Sequence, residues 1–206
     1  MITIVDYGRG NLFSISQALH KLGAEHRVSA DPSEIERAQG IVLPGVGAFG
    51  DAMAALERGD LVAPLRAAAE SGTPVLGICL GMQLLADASS EFGAHRGLGL
   101  IPGTVDRLPA GAMRVPNVGW RALRWRQPDR LAARDLSSDS MVYFVHSYGF
   151  NAACADDVVA DTMFNDATPA AIVKRGAIMG MQFHPEKSAE TGLALIDSFL
   201  NSLVSP

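Results

Sequence analysis

The sequence predicts an α/β fold in which a central, mostly parallel sheet is flanked by helices and carries an antiparallel extension in the second half. In the first half, short apolar segments at Ile2–Val5, Ile41–Leu43 and Val75–Ile78 alternate with segments of helical periodicity. Apolar strands separated by helices are typical of a parallel sheet that is covered on both faces. In the second half, strand-like segments follow one another with few helices between them, which favours antiparallel pairing.

The helices of the first half have recognisable ends. Leu12–Leu22 carries apolar residues at helical spacing and stops before Gly23. Asp31–Glu34 combines a capping carboxylate, a proline at the first helical position and a glutamate at the third. Leu61–Glu70 is a further predicted helix, and another runs from Cys79 through Leu85. These helices provide the connections that a parallel sheet needs.

The second half contains five predicted strands and one predicted helix, Ala189–Leu203. The strands are Val115–Trp125, Met141–Ser147, Val158–Met163, Ala171–Lys174 and Ala177–Phe183. No internal repeat or linker-like stretch separates the halves, so we expect residues 1–206 to form a single domain with a shared core.

Composition narrows the class of protein. The chain has 206 residues, a net charge of −5 and only two cysteines, Cys79 and Cys154. A disulfide scaffold is therefore excluded, and an acidic chain is a poor candidate for a nucleic-acid surface. Its longest uncharged run, residues 71–86, is too short to span a membrane. Since the N-terminus has no basic export signal, we expect a cytoplasmic protein.

Cys79 is the candidate nucleophile. It is the centre of Gly77–Gly81, a glycine-x-nucleophile-x-glycine pattern between a predicted strand and a predicted helix. The flanking glycines permit a sharp turn, and the helix N-terminus favours the thiolate form of a cysteine. A lone cysteine is more often a buried small apolar residue, but the glycines and the strand-to-helix placement favour the nucleophile.

His184 and Glu186 are the candidate base and its orienting carboxylate. Pro185 favours an extended His184, and residues two apart in an extended chain project to the same face. The imidazole and the carboxylate can then lie side by side, which completes a nucleophile–base–acid triad with Cys79. Taken alone the tripeptide is a weak signal, since a strand end followed by a solvated turn has the same appearance.

The turn Pro44–Gly47 is the candidate oxyanion hole. It follows the second predicted parallel strand, and its glycines allow backbone N–H groups to approach a ligand. We expect the donors to be the N–H of Leu80 and one N–H from Gly45, Val46 or Gly47. An ordinary β-to-α turn would carry similar residues.

The remaining histidines and arginines suggest no second site. His20 and His26 are expected at the surface, His95 in a glycine-rich loop, and His146 in a local hydrogen bond. No spacing of histidines or cysteines matches a metal site, so we expect neither a metal nor a cofactor. Five arginines between Arg121 and Arg134 are expected to form a solvated edge or a partner contact rather than a nucleic-acid face.

Together these motifs resemble the class I (triad) glutamine amidotransferases, and within them the glutaminase subunits of imidazole glycerol phosphate synthase. The resemblance covers essentially the whole chain. It rests on Val5–Asn11, Pro44–Gly47, Gly77–Leu85, Gly99–Gly103, Pro116–Trp120, Tyr143–Tyr148 and Gln182–Ser188. One departure is Arg121, where the family usually has asparagine after glycine and tryptophan.

The resemblance implies that glutamine is hydrolysed to glutamate and ammonia through a thioester on Cys79, with His184 transferring protons. It also implies that Gln83, Glu91, Ser147 and Tyr148 hold the amino-acid end of glutamine. A carboxylate at Glu91 suits the substrate ammonium group. Glu91 could equally be a solvated loop residue.

The resemblance further implies a partner. One domain of this length has room for a glutaminase but not for a synthase, and free ammonia is protonated in water at neutral pH. In the family, the partner is a (β/α)₈-barrel cyclase that uses the ammonia to make imidazole glycerol phosphate and aminoimidazole carboxamide ribotide in histidine biosynthesis. Asn11, Tyr143 and Lys187 are the candidate interface residues of the expected heterodimer.

Three alternatives remain open from the sequence. The chain could be the glutaminase of another synthase, such as one that makes anthranilate or pyridoxal phosphate. It could be a cysteine peptidase or esterase of similar topology, which an assay with peptides and esters would distinguish. It could also be a catalytically silent binding module, although the intact triad argues against that.

Overall fold

The computed structural model describes residues 1–131 and 140–203. Within these residues the chain forms six α-helices and fourteen strands. The helices α1–α6 are Leu12–Lys21, Pro32–Glu36, Phe49–Arg58, Val62–Glu70, Leu80–Leu84 and Ala189–Asn201. The strands β1–β14 are Ile2–Val5, His26–Ser29, Gly40–Leu43, Val75–Ile78, Ala88–Ser89, His95–Arg96, Gly103–Arg107, Asn117–Ala122, Arg124–Trp125, Met141–His146, Tyr148–Ala152, Val158–Asp161, Ala170–Arg175 and Ile178–Met181.

The main sheet has eight strands in the order β2-β1-β3-β4-β14-β13-β12-β9. Its first five strands are parallel, and β13, β12 and β9 extend it in antiparallel fashion. This confirms the predicted parallel sheet with an antiparallel extension. One detail differs: β14 joins the parallel part beside β4, because α5 and the following segments carry the chain away and return it in the same direction.

Alternate residues of the central strands pack into two separate cores. Ile41 and Leu43 of β3 face one core, where they meet α2, α3, α4 and α5. Val42 of the same strand faces the other core, where it meets α1 and α6. This division follows from the two-residue period of a strand, and it explains why the central strands are apolar throughout. Both cores include residues from both halves of the chain.

Two smaller sheets stand beside the main sheet. One is the antiparallel pair β10–β8, and the other has the order β11-β7-β5-β6. The sequence did not predict β2, α3, β5, β6, β7 or β11. Several of these are only two residues long or half exposed, so their apolar pattern is weak. The predicted strand over Val115–Trp125 is divided by Leu123 into β8 and β9, which belong to different sheets.

Local capping accounts for the ends of the helices that were predicted. The side chain of Asp31 accepts a hydrogen bond from the N–H of Ser33 at the start of α2, as the capping pattern requires. Gly23 follows α1 with a φ of 72°, a conformation in which glycine carries little penalty. In the described part of the chain, no helix is both long enough and apolar enough to cross a membrane.

Candidate active site

Cys79 lies between β4 and α5 in the conformation of a nucleophile elbow (residues 77–81). Its φ of 54° and ψ of −111° are rare for a residue with a side chain, and only 7% of its surface is exposed. Gly81 makes this turn possible, because a Cβ atom there would lie 1.8 Å from the Leu43 carbonyl oxygen. The first turn of α5 therefore packs directly on the backbone of β3, and the thiol projects at the carboxyl edge of the sheet.

His184 reaches Cys79 because their strands are neighbours. β4 and β14 run parallel with Ile78 opposite Met181, and the N–H of Cys79 donates to the carbonyl of Met181 at 2.8 Å. Cys79 directly follows β4, and His184 follows β14 by three residues. Residues more than a hundred positions apart in the chain thus meet at one sheet edge.

Glu186 pairs with His184 through a turn rather than through an extended chain. The Nδ1 of His184 lies 2.9 Å from the Oε1 of Glu186, and both side chains are almost completely buried. The extended conformation expected from Pro185 holds for His184 itself (φ −95°, ψ 95°), but Pro185–Lys187 forms a 3₁₀ turn. Proline is suited to the first position of such a turn, which brings the carboxylate back to the imidazole.

The charge state of His184 follows from these contacts. Burial opposes protonation, but hydrogen bonds and charge interactions with Cys79 and Glu186 outweigh it and raise the pKa of His184 from 6.5 to about 9. Because a carboxylate only accepts, Nδ1 carries a proton toward Glu186 and Nε2 is left for the sulfur. An imidazolium beside sulfur stabilises a thiolate, which is the nucleophilic form of cysteine.

The Pro44–Gly47 turn lies against the start of α5. A Cβ atom on Gly45 would come within 2.9 Å of both the Leu80 Cβ and the Gly81 nitrogen. The buried Tyr7 hydroxyl donates to the Pro44 carbonyl at 2.7 Å and anchors the first residue of the turn. Val46 and Gly47 line the same cavity as Cys79 and Leu80, and Gly47 has a φ of 100°. Three of the four candidate oxyanion residues, Val46, Gly47 and Leu80, therefore share one cavity with the nucleophile, whereas Gly45 packs behind it on α5.

That cavity has a volume of about 340 Å³ and brings together the residues expected to hold a substrate. Gln83, Glu91, Ser147 and Tyr148 line it with Cys79 and His184. Residues 145–148, which form one side of it, are called the binding wall below. Gln83 supports the binding wall by donating to the Tyr148 carbonyl at 2.9 Å.

Glu91 is a buried carboxylate fixed by a helix end. Its Oε2 accepts the N–H of Phe49, the first residue of α3, at 2.7 Å, and only 9% of the residue is exposed. The positive end of the α3 dipole therefore faces this side chain. Glu91 is therefore not a solvated loop residue, and it presents a negative charge at the cavity.

Two residues of the site were missed by sequence reasoning. Gln182 is fully buried; its Oε1 accepts from Gln83 at 3.0 Å, and its Nε2 lies 4.0 Å from the Cys79 sulfur. Ser188 donates to the His184 carbonyl at 2.7 Å and accepts from the Tyr143 N–H at 3.0 Å. The signal for Gln182 was a polar residue at the end of an apolar strand, two residues before the candidate base.

The candidate interface residues lie in different settings. Lys187 is exposed beside the triad turn, and the Asn11 side chain caps α1 by accepting from the Ser14 N–H. Tyr143 packs edge-to-face on Trp120 with ring centroids 6.1 Å apart. Sequence reasoning missed the apolar surface around this pair, which lies on the sheet of β8 and β10 and is called the β8–β10 face below. Its exposed residues are Val118 (52%), Trp120 (49%), Met141 (42%) and Val145 (40%).

The other predicted histidines have local roles. His20 is exposed, and His26 hydrogen-bonds to Ser16 and to the Ala24 carbonyl. His95 packs over Gly50. His146 has the expected local hydrogen bond, to the Tyr148 carbonyl at 2.8 Å, but it also lines the cavity.

The arginine-rich stretch is largely engaged within the protein. Arg124 and Arg126 both pair with the buried Asp161, and Arg121 donates to Asn117. Arg134 lies outside the described residues. The described arginines Arg121, Arg124 and Arg126 thus contact acceptors of their own chain.

Comparison with known families gives a consistent result. The family model "Glutamine amidotransferase class-I" matches residues 3–202. The imidazole glycerol phosphate synthase subunit HisH of Geobacillus kaustophilus is 46% identical, over 97% of this chain and 96% of the relative. The subunit of the same name from Moorella thermoacetica is 48% identical, over 96% of this chain and 93% of the relative.

Solved structures support the fold. A crystal structure of a glutamine amidotransferase superposes with a TM-score of 0.77 at 20% identity and covers 100% of both chains. A chain of the PurLQS structure from Thermotoga maritima gives a TM-score of 0.75 at 22% identity, with 98% of each chain covered.

Proposed function

Because the chain belongs to the class I glutamine amidotransferase family, and within it to the HisH subunits of imidazole glycerol phosphate synthase, we propose that Cys79, His184 and Glu186 carry its hydrolysis of glutamine to glutamate and ammonia. One observation carries this assignment: the thiol and the His184–Glu186 pair end adjacent parallel strands at a single cavity. We further propose that residues 1–206 act as one domain.

The chemistry follows from the geometry in two steps. The Cys79 thiolate attacks the side-chain amide carbon of glutamine, and backbone N–H groups of Leu80 and the Gly45–Gly47 segment stabilise the oxyanion. The His184 imidazolium then gives its proton to the leaving nitrogen, which departs as ammonia and leaves a thioester. Neutral His184 next takes a proton from water, which attacks the thioester to release glutamate and restore the thiolate.

The substrate is held at its amino-acid end. Glu91 offers a carboxylate that is already oriented by the α3 N-terminus, so it can receive the α-ammonium group without being reordered. Gln83, Ser147 and Tyr148 complete the pocket around that end. Fixing the α-amino and α-carboxyl groups places the amide at Cys79, and this positioning lowers the activation barrier.

The partner proposed for this chain is a (β/α)₈-barrel cyclase that receives the ammonia and makes imidazole glycerol phosphate and aminoimidazole carboxamide ribotide. The β8–β10 face supports this proposal, because exposed apolar side chains in a contiguous group are typical of protein interfaces. Val145 belongs both to this sheet and to the cavity lining. A partner docked there would cover the cavity beside Cys79 and keep ammonia from water. Asn11, Tyr143 and Lys187 are proposed as further contacts.

The proposed location is the cytoplasm. The reaction requires Cys79 as a free thiol, and Cys154 is exposed and unpaired in the described structure. A reducing compartment keeps both thiols available.

A glutaminase assay with and without the cyclase tests the function. We expect slow hydrolysis by the isolated chain and at least about tenfold stimulation by the cyclase with its nucleotide ligand. Cys79→Ala should lower turnover by at least about 1000-fold while the melting temperature stays near that of the unmodified chain. Hydrolysis of peptides or esters instead of glutamine would contradict the proposal, as would full activity without the partner.

The β8–β10 face has its own matched test. Val118→Ala or Trp120→Ala should weaken cyclase binding by about tenfold, with the larger loss for the tryptophan, since buried aromatic residues dominate interface energies. Val28→Ala on β2 is the control, because Val28 is also an exposed strand valine (44%) but lies at the far edge of the main sheet. Equal binding by all three variants in titration calorimetry would place the interface elsewhere.

A further inference from the structure

A buried chain of polar side chains runs from β8 into the binding wall. Asn117 and His146 lie opposite each other in the β8–β10 pair and are 0% and 6% exposed. Asn117 Nδ2 lies 2.9 Å from His146 Nε2, and His146 Nδ1 lies 2.8 Å from the Tyr148 carbonyl oxygen. At the other end, Arg121 Nε donates to Asn117 Oδ1. None of these contacts is needed to form the triad itself.

The two ends of the chain fix the direction of every hydrogen bond in it. A carbonyl oxygen can only accept, so His146 Nδ1 must carry a proton. A guanidinium can only donate, so Asn117 turns its oxygen to Arg121 and its NH₂ group to His146. His146 Nε2 therefore accepts, and the ring is neutral with its proton on Nδ1. The pKa of His146 agrees with this state: burial, with smaller contributions from Arg121 and His184, outweighs the hydrogen bond to the Tyr148 carbonyl and lowers the pKa from 6.5 to about 4.

The chain ends on the carbonyl that also supports the substrate pocket. The Tyr148 carbonyl accepts from His146 and from Gln83. Gln83 also donates to Gln182, whose Nε2 faces the Cys79 sulfur at 4.0 Å. The Tyr148 carbonyl is therefore held by two donors. One is His146 of the binding wall, and the other is Gln83, which is itself bonded to Gln182 beside the nucleophile.

We propose that His146 is a positioning residue: it holds the Tyr148 backbone in place for glutamine, and Arg121 acts through Asn117 to keep His146 in the required tautomer. The proposal rests on the glutaminase function given above. His146 is not a second base, since both of its nitrogens are already engaged. Its role is to fix the pocket that grips the amino-acid end of glutamine, so its loss should raise KM far more than it lowers kcat.

Arg121 is the residue of this hydrogen-bonded chain that departs from the family pattern. Its guanidinium carbon lies 5.4 Å from the centre of the Phe164 ring. This cation–π contact holds the guanidinium in place while Nε contacts Asn117. The guanidinium of arginine carries only hydrogen-bond donors, so no rotation of the side chain can present an acceptor to Asn117. The asparagine that the family usually has at this position carries both a donor and an acceptor. The tautomer of His146 is in this way set from outside the cavity.

Two variants of His146 separate positioning from packing. His146→Asn keeps a side-chain nitrogen near the place of Nδ1, so it can still donate to the Tyr148 carbonyl. His146→Phe keeps the ring but neither hydrogen bond. In the presence of the cyclase, we expect His146→Phe to raise KM for glutamine about tenfold with kcat changed less than about threefold, and His146→Asn to recover most of the loss.

A second readout shows whether the triad itself is intact. Alkylation of Cys79 by iodoacetamide, in a Cys154→Ser background so that the exposed thiol does not react, should proceed within about twofold of the parent rate in both variants. Arg121→Met should also raise KM, by about threefold, while Arg58→Met, at an exposed residue at the end of α3, should leave it unchanged. Equal KM values in His146→Phe and the parent would overturn the proposal. So would equal losses of kcat, alkylation and stability in the Phe and Asn variants.

The tautomer can be observed without any turnover. Nitrogen-15 spectra of the histidine rings should show His146 neutral and protonated on Nδ1 from pH 5 to pH 8. A charged ring, or a proton on Nε2, would contradict the proposal whether or not glutamine is hydrolysed. If the parent protein with cyclase fails to hydrolyse glutamine, the proposed function fails; these spectra then still decide the state of His146.

Discussion

The nucleophile elbow and the binding wall face the same cavity but are held in place by different kinds of contact. In the elbow, backbone packs on backbone: Gly81 leaves no room for a side chain beside Leu43, and Cys79 is kept in a strained conformation between β4 and α5. In the binding wall, side-chain hydrogen bonds from His146 and Gln83 hold the Tyr148 carbonyl. The elbow rests on the eight-stranded sheet, whereas the binding wall rests on the two smaller sheets.

The difference predicts how each region fails. Backbone packing has no alternative arrangement, so a fault in the elbow should reduce the stability of the whole domain. A fault in a hydrogen-bonded wall leaves the core intact and changes the fit of a ligand. Substitutions of the packed elbow glycines, Gly77 and Gly81, should therefore appear in unfolding experiments and in kcat, and wall substitutions should appear in KM.

Gly81→Ala should have the largest effect on stability. The new Cβ would overlap the Leu43 carbonyl, so β3 and α5 must separate, at a cost of about 4 kcal/mol or more in the free energy of unfolding. Gly149→Ala in β11 is the matched control, because its Cβ would meet only the side chains of Leu108 and Pro169, at 3.1 and 3.3 Å. We expect a change within about 1 kcal/mol there. Urea unfolding curves measure both, and similar losses would remove the distinction between the regions.

The titration of His184 tests whether the elbow sulfur sets the charge of the base. Its pKa is raised to about 9 in the folded protein from 6.5, so its contribution to stability is complete below pH 6.5 and is lost as pH rises through about 9. The full contribution is on the order of 3 kcal/mol. In Cys79→Ala, the pKa of His184 should fall toward its ordinary value. The contribution of the sulfur is then lost, and only the interaction with Glu186 remains to offset the effect of burial.

Nuclear magnetic resonance of the histidine rings measures this shift directly. His146 serves as the internal control, since it should remain neutral across the same pH range in both proteins. An unchanged His184 midpoint in Cys79→Ala would mean that Glu186 alone sustains the imidazolium, and the charge coupling across the elbow would have to be abandoned.

The elbow could be predicted from sequence because its requirements are local. A strand, two glycines around Cys79 and a following helix are visible within ten residues, and the parallel strand order follows from apolar segments that alternate with helices. Glu186 beside His184 was also predicted, although the 3₁₀ turn that pairs them was not. The residue types alone were therefore sufficient to predict that His184 and Glu186 pair, even though the backbone conformation between them was predicted differently.

The binding wall could not be derived in the same way, because its contacts join distant segments. The bond between Asn117 and His146 depends on the register of β8 with β10, and the bond between Gln83 and Gln182 joins residues 99 positions apart. The exposed apolar face of β8 and β10 has the alternating pattern of any half-buried strand, so sequence alone does not show which face is covered. Glu91 was identified from the family resemblance, but its bond to the α3 N-terminus depends on a helix that was not predicted.

Glu91→Gln should have the smallest free-energy effect of the three and should be confined to substrate binding. The variant keeps the side-chain size and can still accept the Phe49 N–H, but it removes the negative charge that faces the substrate ammonium. A charge-assisted hydrogen bond contributes about 2 kcal/mol, so KM for glutamine should rise about 30-fold.

The Cys79 alkylation rate should remain within about twofold of the parent value, because the elbow does not depend on this contact. Steady-state kinetics of the complex with cyclase provide the measurement. If kcat falls as steeply as KM rises, Glu91 also helps to align the reacting amide, and the division between a packed elbow and a ligand-fitting wall does not hold at this residue.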